Sequence, residues 1–294
     1  MRLKQILIHL FLLMCIACRE KGNDDLILIS SLLLADSLWD RPEKYDRDVQ
    51  IVTHTPIAEY SQTYTKSISY DIDYSDADVN YLKDLLQAQI ARYPRGYWIK
   101  ARAGNIVLCR NLKIYGSRYG GMAAPEINTI FFNVPDDLAN LGPVNPTSDS
   151  NYRSTMIRGI NHELTHNFSY SIGVYYWDSN WNSFNPSSFQ YGKYVYGSAP
   201  YPPNLPVWPN SRVFWNPIPG FVSEYATTNF SEDRAEIGSG MMGNQFEHIN
   251  EICKSDRFVA SKVRQTISEM NRFWPFEGAD DTEWKRRISQ MSCD

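Results

Sequence analysis

Histidine is scarce in this chain, five among 294 residues, so any cluster of histidines is informative. Only one pair of cysteines, Cys15 and Cys18 in the first apolar run, stands at C-x-x-C spacing, and without a second such pair a zinc ribbon is excluded. Basic residues do not outnumber acidic ones (29 Lys and Arg, 33 Asp and Glu), and no Lys/Arg cluster is interleaved with aromatics. A surface that follows a phosphate backbone, and with it a nucleic-acid partner, is thereby excluded. No internal repeat is visible, and no Gly/Ser linker or long charge run divides the chain after position 40, which leaves one domain of catalytic size over 41–294. What is present is the composition of a globular protein: 43% hydrophobic, 21% charged and a net charge of -4, enough apolar side chains for a sizeable core.

The first 25 residues, MRLKQILIHLFLLMCIACREKGNDD, join a short basic start (Arg2, Lys4) to an apolar run, then small residues and a cysteine. The run is too short to span a bilayer and has the layout of a secretion signal. It resembles a bacterial lipoprotein signal over 1–17, with cleavage before Cys18 and lipidation of Cys18, although Cys15 stands where that pattern has an aliphatic residue. The resemblance implies an extracytoplasmic protein anchored by lipid to a bacterial membrane, on its periplasmic or cell-surface side. Glu20, Asp24 and Asp25 point to surface export. LILISSLLLA (26–35), within the tether 18–40, reads as a packed helix, too short for a span. Cys109, Cys253 and Cys293 then remain, so at most one intrachain disulfide forms, and Cys253 with Cys293 is the expected pair.

RPEKYDRDVQ (41–50) leads into the domain. Val79, Leu82, Leu86 and Ile90 fall on one helical face behind Ser75, predicting a helix over 75–91. NIVLCRNLKIYG (105–116) and EINTIFFNV (126–134) are rich in branched and aromatic residues between Gly and Pro, and predict two strands. Helices are expected at about 152–170, at 229–242 and from near Ser255, where Val259, Val263, Ile267, Met270 and Trp274 share a side.

Inside NHELTHNFSY stands H-E-x-x-H: His162, Glu163 and His166. A shuffle of this composition yields the motif about 0.004 times per chain, so coincidence explains it poorly. On a helix, i and i+4 project from one face, letting two imidazoles reach one tetrahedral ion while the intervening Glu leans over the open position. Ile157, Ile160, Leu164 and Phe168 supply the apolar stripe of that helix. A metzincin extension needs Gly at position 169 and His at position 172; Ser169 and Ile172 stand there, so that class is excluded. The third ligand is sought among Glu232, Asp233 and Glu236. Glu232 and Glu236 share a helical face and Asp233 is turned about 100° away, so either glutamate can bind the metal while the other braces a ligand histidine.

HELTH followed by YATTNFSEDRAE resembles the gluzincin pattern of the anthrax lethal factor catalytic domain and, more closely, a zinc-binding metallopeptidase family of bacterial lipoproteins. The resemblance covers about 152–275 and leaves 40–150 unmatched. It implies an α+β, zincin-like fold: a small mixed sheet with an edge strand lining the cleft, an H-E-x-x-H helix and a helical C-terminal subdomain. It implies Zn2+ held by His162, His166 and Glu232, Glu236 behind a zinc histidine, and Tyr225 as an oxyanion donor. Glu163 is then the general base for a zinc-activated water that hydrolyses a peptide bond, and it returns the proton to the leaving amine.

The segment 126–134 reads either as an edge strand that accepts an extended peptide substrate or as a fully paired strand. Tyr170–Trp215 holds 14 aromatics and only Asp178, Lys193 and Arg212 as charges, so it folds over the domain. Trp177, Trp181, Tyr191 and Trp208 are candidate platforms for a glycan. His54 and His248 take ordinary structural or surface roles. The rival reading is a surface lipoprotein that keeps the zincin scaffold without catalysis and binds glycan or peptide through these aromatics.

Overall fold

A computed structural model describes residues 40–56, 68–134, 150–193 and 218–294. The signal segment, Cys18, the helix expected at 26–35 and Trp208 lie outside the described residues. The chain divides into two units, Met1–Lys44 and Tyr45–Asp294. Of the first, residues 40–44 are described and enter a 3-10 turn, Pro42–Tyr45. No helix among the described residues is long and apolar enough to cross a membrane.

The second unit mixes helices with a small mixed sheet, in keeping with an α+β class. Strands β1 (Gln50–Val52), β2 (Ile68–Asp71), β3 (Asn105–Ile114), β4 (Ser117–Arg118), β5 (Gly121–Ala124) and β6 (Thr129–Asn133) form it. Its main path runs β1-β3-β6-β5. The first three strands of that path are parallel and β5 is antiparallel to β6. β2 and β4 pair antiparallel with the C-terminal part of β3. Side chains alternate across the sheet: Ile106, Leu108, Ile130 and Phe132 face the main core, whereas Val107, Cys109 and Phe131 face a smaller cluster on the other side.

Among the described residues eight helices surround it: α1 (Asp76–Ile90), α2 (Tyr97–Lys100), α3 (Ser150–Ser171), α4 (Ser179–Ser183), α5 (Phe230–Met242), α6 (Phe246–Ser255), α7 (Arg257–Phe273) and α8 (Glu283–Gln290). Ile157, Ile160, Leu164 and Phe168 of α3 are buried against the sheet, each contributing about 1.5–3 kcal/mol. Ile237, Val259, Val263 and Trp284 from α5, α7 and α8 join that same core, so the C-terminal helices are not a separate subdomain.

Of the two readings of 126–134, the structure takes the fully paired strand and not the edge: β6 is buried at all five residues and is paired on both sides, with β3 and β5. A run of Ile and Phe marks a strand covered on both faces, while β5, the outermost strand on that side among the described residues, reads Gly-Met-Ala-Ala and has little strand propensity to announce it. The helix expected from near Ser255 is α7, and Asp256 caps it by accepting from the N–H groups of Phe258 and Val259; α6, which ends at Ser255, is an additional helix before it. A further helix, α8, follows, anchored by the fully buried Trp284. The disulfide is Cys253–Cys293, as expected, and Cys109 is a free, buried thiol.

Candidate metal centre

Two helices build the site. α3 presents His162 and His166 one turn apart, and its most extensive packing is on α5, whose first turn carries Glu232. α5 begins where Asn229 accepts from the Glu232 N–H at 3.0 Å, which fixes Glu232 at the positive end of the helix. The helices approach closely because Gly238 has no side chain. A Cβ there would stand 2.4 Å from the Thr165 hydroxyl oxygen and 2.6 Å from its methyl group.

Nε2 of His162 lies 3.0 Å from Oε2 of Glu232 and 3.1 Å from Nε2 of His166, which is itself 3.3 Å from the same Glu232 oxygen. An ion about 2.0–2.1 Å from each of three tetrahedral ligands sets those ligands about 3.3–3.4 Å apart. The triangle therefore fits a small divalent cation after an expansion of a few tenths of an ångström, and His162, His166 and Glu232 can hold one. Both histidines are 6% exposed, so an ion here is shielded on the protein side.

The outer nitrogens are oriented. Nδ1 of His162 faces Oε1 of Glu236 at 2.8 Å, and Nδ1 of His166 faces the Ser231 hydroxyl at 3.1 Å. Glu236 is fully buried and also accepts from Arg158 and, at 2.7 Å, from the Ser223 hydroxyl. Of the two glutamates, Glu232 thus meets both ligand nitrogens and Glu236 braces His162 from behind. Burial would raise the Glu232 carboxyl pKa, but the two histidines outweigh it and hold the group well below its ordinary value. Burial likewise opposes ionisation of Glu236, and Arg158 and His162 reverse it. Burial disfavours the imidazolium of His162, yet Glu232 and Glu236 on its two nitrogens push its pKa up to about 10.

Glu163 projects from α3 toward β5. Its Cγ lies 3.2 Å from where a Cβ on Gly121 would be, and its carboxylate accepts from the Ala123 backbone N–H. Asn133 N–H bonds Gly120 O, so Met122–Phe131 and Ala124–Thr129 are the bonded pairs of this ladder. The backbone groups of Gly121 and Ala123 therefore point away from β6, along a rim that no strand among the described residues pairs. Burial raises the Glu163 pKa, against the lowering influence of the two histidines.

Each ligand histidine has a tyrosine ring beside it. Tyr225, in a 3-10 turn before α5, lies 5.8 Å from His162 and its phenol hydrogen-bonds Glu232. Tyr175 lies 5.8 Å from His166, with Glu163 the charge that acts most on its phenol. Burial raises the pKa of both. Tyr175 was not among the sequence candidates; nine positions after His166, in an irregular turn, it carries no periodic signal.

Part of the aromatic segment serves as scaffold. Trp181 is fully buried and donates its indole N–H to Asp233 at 2.8 Å, and Tyr191 donates to the same oxygen at 2.7 Å. Full burial rules out Trp181 as a glycan platform, whereas Tyr191 stays half-buried with its hydroxyl turned to Asp233, which is paired with buried Lys262 at 2.6 Å. Trp177 does remain 71% exposed. Next to Asp233, Arg234 binds Asp178 and Glu269 and so fastens the start of α4 to α5 and α7. His248 is half-buried beside Glu251, and His54 stacks on Tyr74 at 4.5 Å; neither joins the ligand triangle.

The chain matches no protein-family model, no curated protein and no solved structure.

Proposed function

We propose that this chain is a zinc-dependent peptidase with a zincin-like catalytic unit of gluzincin type, carried on a lipid-anchored extracytoplasmic protein. One observation carries the reading: three ligand atoms within a few tenths of an ångström of tetrahedral separations, with a carboxylate, Glu163, on the helix of the two histidines and facing β5, whose outer rim no described strand pairs. Two imidazoles and one carboxylate suit zinc, and three protein ligands leave one position for water or substrate.

Zinc, when bound, supplies a Lewis acid that polarises a carbonyl and acidifies water. The remaining work falls to the chain. Glu163 accepts the proton of the attacking water and returns it to the leaving amine. The burial that raises its pKa moves it toward neutrality, where one group can do both. Tyr225 donates its phenolic proton to the carbonyl oxygen as charge develops there. An extended peptide adds to β5 through the outward backbone groups of Gly121 and Ala123, so main-chain pairing sets the scissile bond against the ligand triangle. The disulfide Cys253–Cys293 supports an oxidising compartment, in line with the secretion-type start of the chain.

The alternative is a non-catalytic binding lipoprotein on the same scaffold, favoured by exposed Tyr176 and Trp177 beside the site. The deciding experiment offers a peptide library to the zinc-loaded chain and to Glu163→Gln, with bound zinc measured in both. Turnover by the wild type alone, at equal zinc content, is expected. Equal inactivity of two zinc-loaded proteins would overturn the peptidase in favour of the binding reading.

A further inference from the structure

The second unit has another cleft, of about 490 Å³, whose walls include Tyr45, Arg47, Lys100, Arg102, Asn128 and Tyr170. Three cations line it and no carboxylate does. The acids nearest in sequence are engaged elsewhere: Asp46 and Asp48 flank Arg47, yet both are bound by Arg95. Arg47 itself is exposed and makes no side-chain hydrogen bond or ion pair among the described residues.

The other polar groups are held in place. Arg102 donates from Nε to the Pro125 carbonyl at 2.7 Å and from Nη2 to that of Glu126 at 3.3 Å. Its own carbonyl accepts from Asn167 at 2.5 Å, and its backbone takes the left-handed conformation (φ 61°) that a non-glycine residue adopts at a cost. Asn128 accepts the Gly104 N–H on its side-chain oxygen, leaving its NH2 without a partner among the described residues. The Lys100 ammonium sits 4.7 Å from the Phe276 ring and 5.0 Å from that of Phe273. One cation would complement the negative end of α3, which contributes Tyr170; Arg47 from one segment and Lys100 and Arg102 from the end of α2 together exceed that need. Gathered like charges repel, and an anion among them removes the cost.

The volume identifies the kind of anion. Clefts of about 300–1,000 Å³ take whole small molecules, so this one has room for a ring as well as an oxyanion. We propose that it binds an acidic sugar, or a sugar-sized ring, bearing a carboxylate or phosphate. Arg47 and Arg102 meet the acid group, the Asn128 NH2 an adjacent oxygen, and Tyr45 and Tyr170 flank the ring. Tyr170 follows His166 by four residues on α3, about 6 Å along the axis, so this site neighbours the metal ligands without sharing a residue with them. The proposal stands whether or not the chain hydrolyses peptides.

Calorimetric titration of the full chain at low ionic strength tests it, with glucuronate, glucose 6-phosphate, glucose and inorganic phosphate as probes. Saturable 1:1 binding of either acidic sugar is expected, with glucose at least tenfold weaker, and which acid binds tells carboxylate from phosphate. Arg47→Glu, at an exposed position, weakens that binding at least tenfold, whereas Arg47→Lys keeps most of it. That contrast separates this cleft from the metal ligands, where the same acids could also bind. Acids binding no tighter than glucose, or a folded Arg47→Glu protein binding as the wild type does, overturn the proposal. Inorganic phosphate binding as tightly as glucose 6-phosphate overturns the role of the ring.

Discussion

Oε1 of Glu236 lies 2.8 Å from Nδ1 of His162, and this one contact decides which nitrogen of that imidazole can face a metal. With Nδ1–H given to Glu236, the lone pair is left on Nε2, inside the ligand triangle. Glu236→Gln keeps the shape and removes the charge, so zinc affinity should fall about 10–100-fold, measured by competition with a chelator. An unchanged affinity would show that Glu236 does no more than neutralise Arg158.

The same residue couples metal uptake to protons. Although burial disfavours the charged ring, Glu232 and Glu236 keep metal-free His162 protonated up to about pH 10. Its folded pKa is raised, so the stabilisation is fully present below the unfolded value of about 6.5 and is lost as pH rises through about 10. The melting temperature of the metal-free chain should accordingly fall across that window. Zinc needs the Nε2 lone pair, so near pH 7.5 uptake should release about one proton, read by calorimetry in buffers of differing ionisation enthalpy. Uptake with no proton released contradicts this account of His162.

Gly238 should resist substitution. In Gly238→Ala the methyl group meets Thr165 at 2.4–2.6 Å, so α5 must shift away from α3, carrying Glu232 from the histidines. Overpacking of this kind costs about 1–3 kcal/mol, visible in denaturant unfolding, and zinc affinity should fall with it. Gly238→Ala/Thr165→Ala removes both clashing atoms, the hydroxyl oxygen and the methyl group, and should recover part of both; no recovery would point to a cause other than the contact.

The two tyrosines should separate kinetically. On the peptidase reading, Tyr225→Phe removes a donor aimed at developing charge and should lower kcat by about 10²–10³ with zinc retained. Tyr175→Phe removes a neutral phenol near Glu163, worth about 1 kcal/mol or roughly fivefold. A larger loss at Tyr175 than at Tyr225 would exchange their roles.

Residues whose signal is periodic were legible before any coordinates. The α3 stripe, the helix beginning near 76 and the Ile/Phe run of β6 show it, as do Glu232 and Glu236, which share a face because they are four apart. Spacing alone left open which of those two glutamates meets the metal; the position of α5 against α3 answers it. Illegible features depend on distant segments meeting. Gly238 matters only because Thr165 lies opposite, Tyr175 only because its turn folds back over His166, and Arg47 only because Asp46 and Asp48 turn to Arg95. β5 escaped notice for a simpler reason, since Gly, Met and Ala carry no strand preference.

The bond from the Ala123 N–H to Glu163 gives the sheet rim a second use. A chain adding to β5 requires that N–H for its own carbonyl and must take it from the carboxylate. Since the bond lowers the proton affinity of Glu163, losing it strengthens the base at the moment a target is in place. On the peptidase reading, docking is then also the trigger: the rim works as a safety catch that only an extended backbone releases.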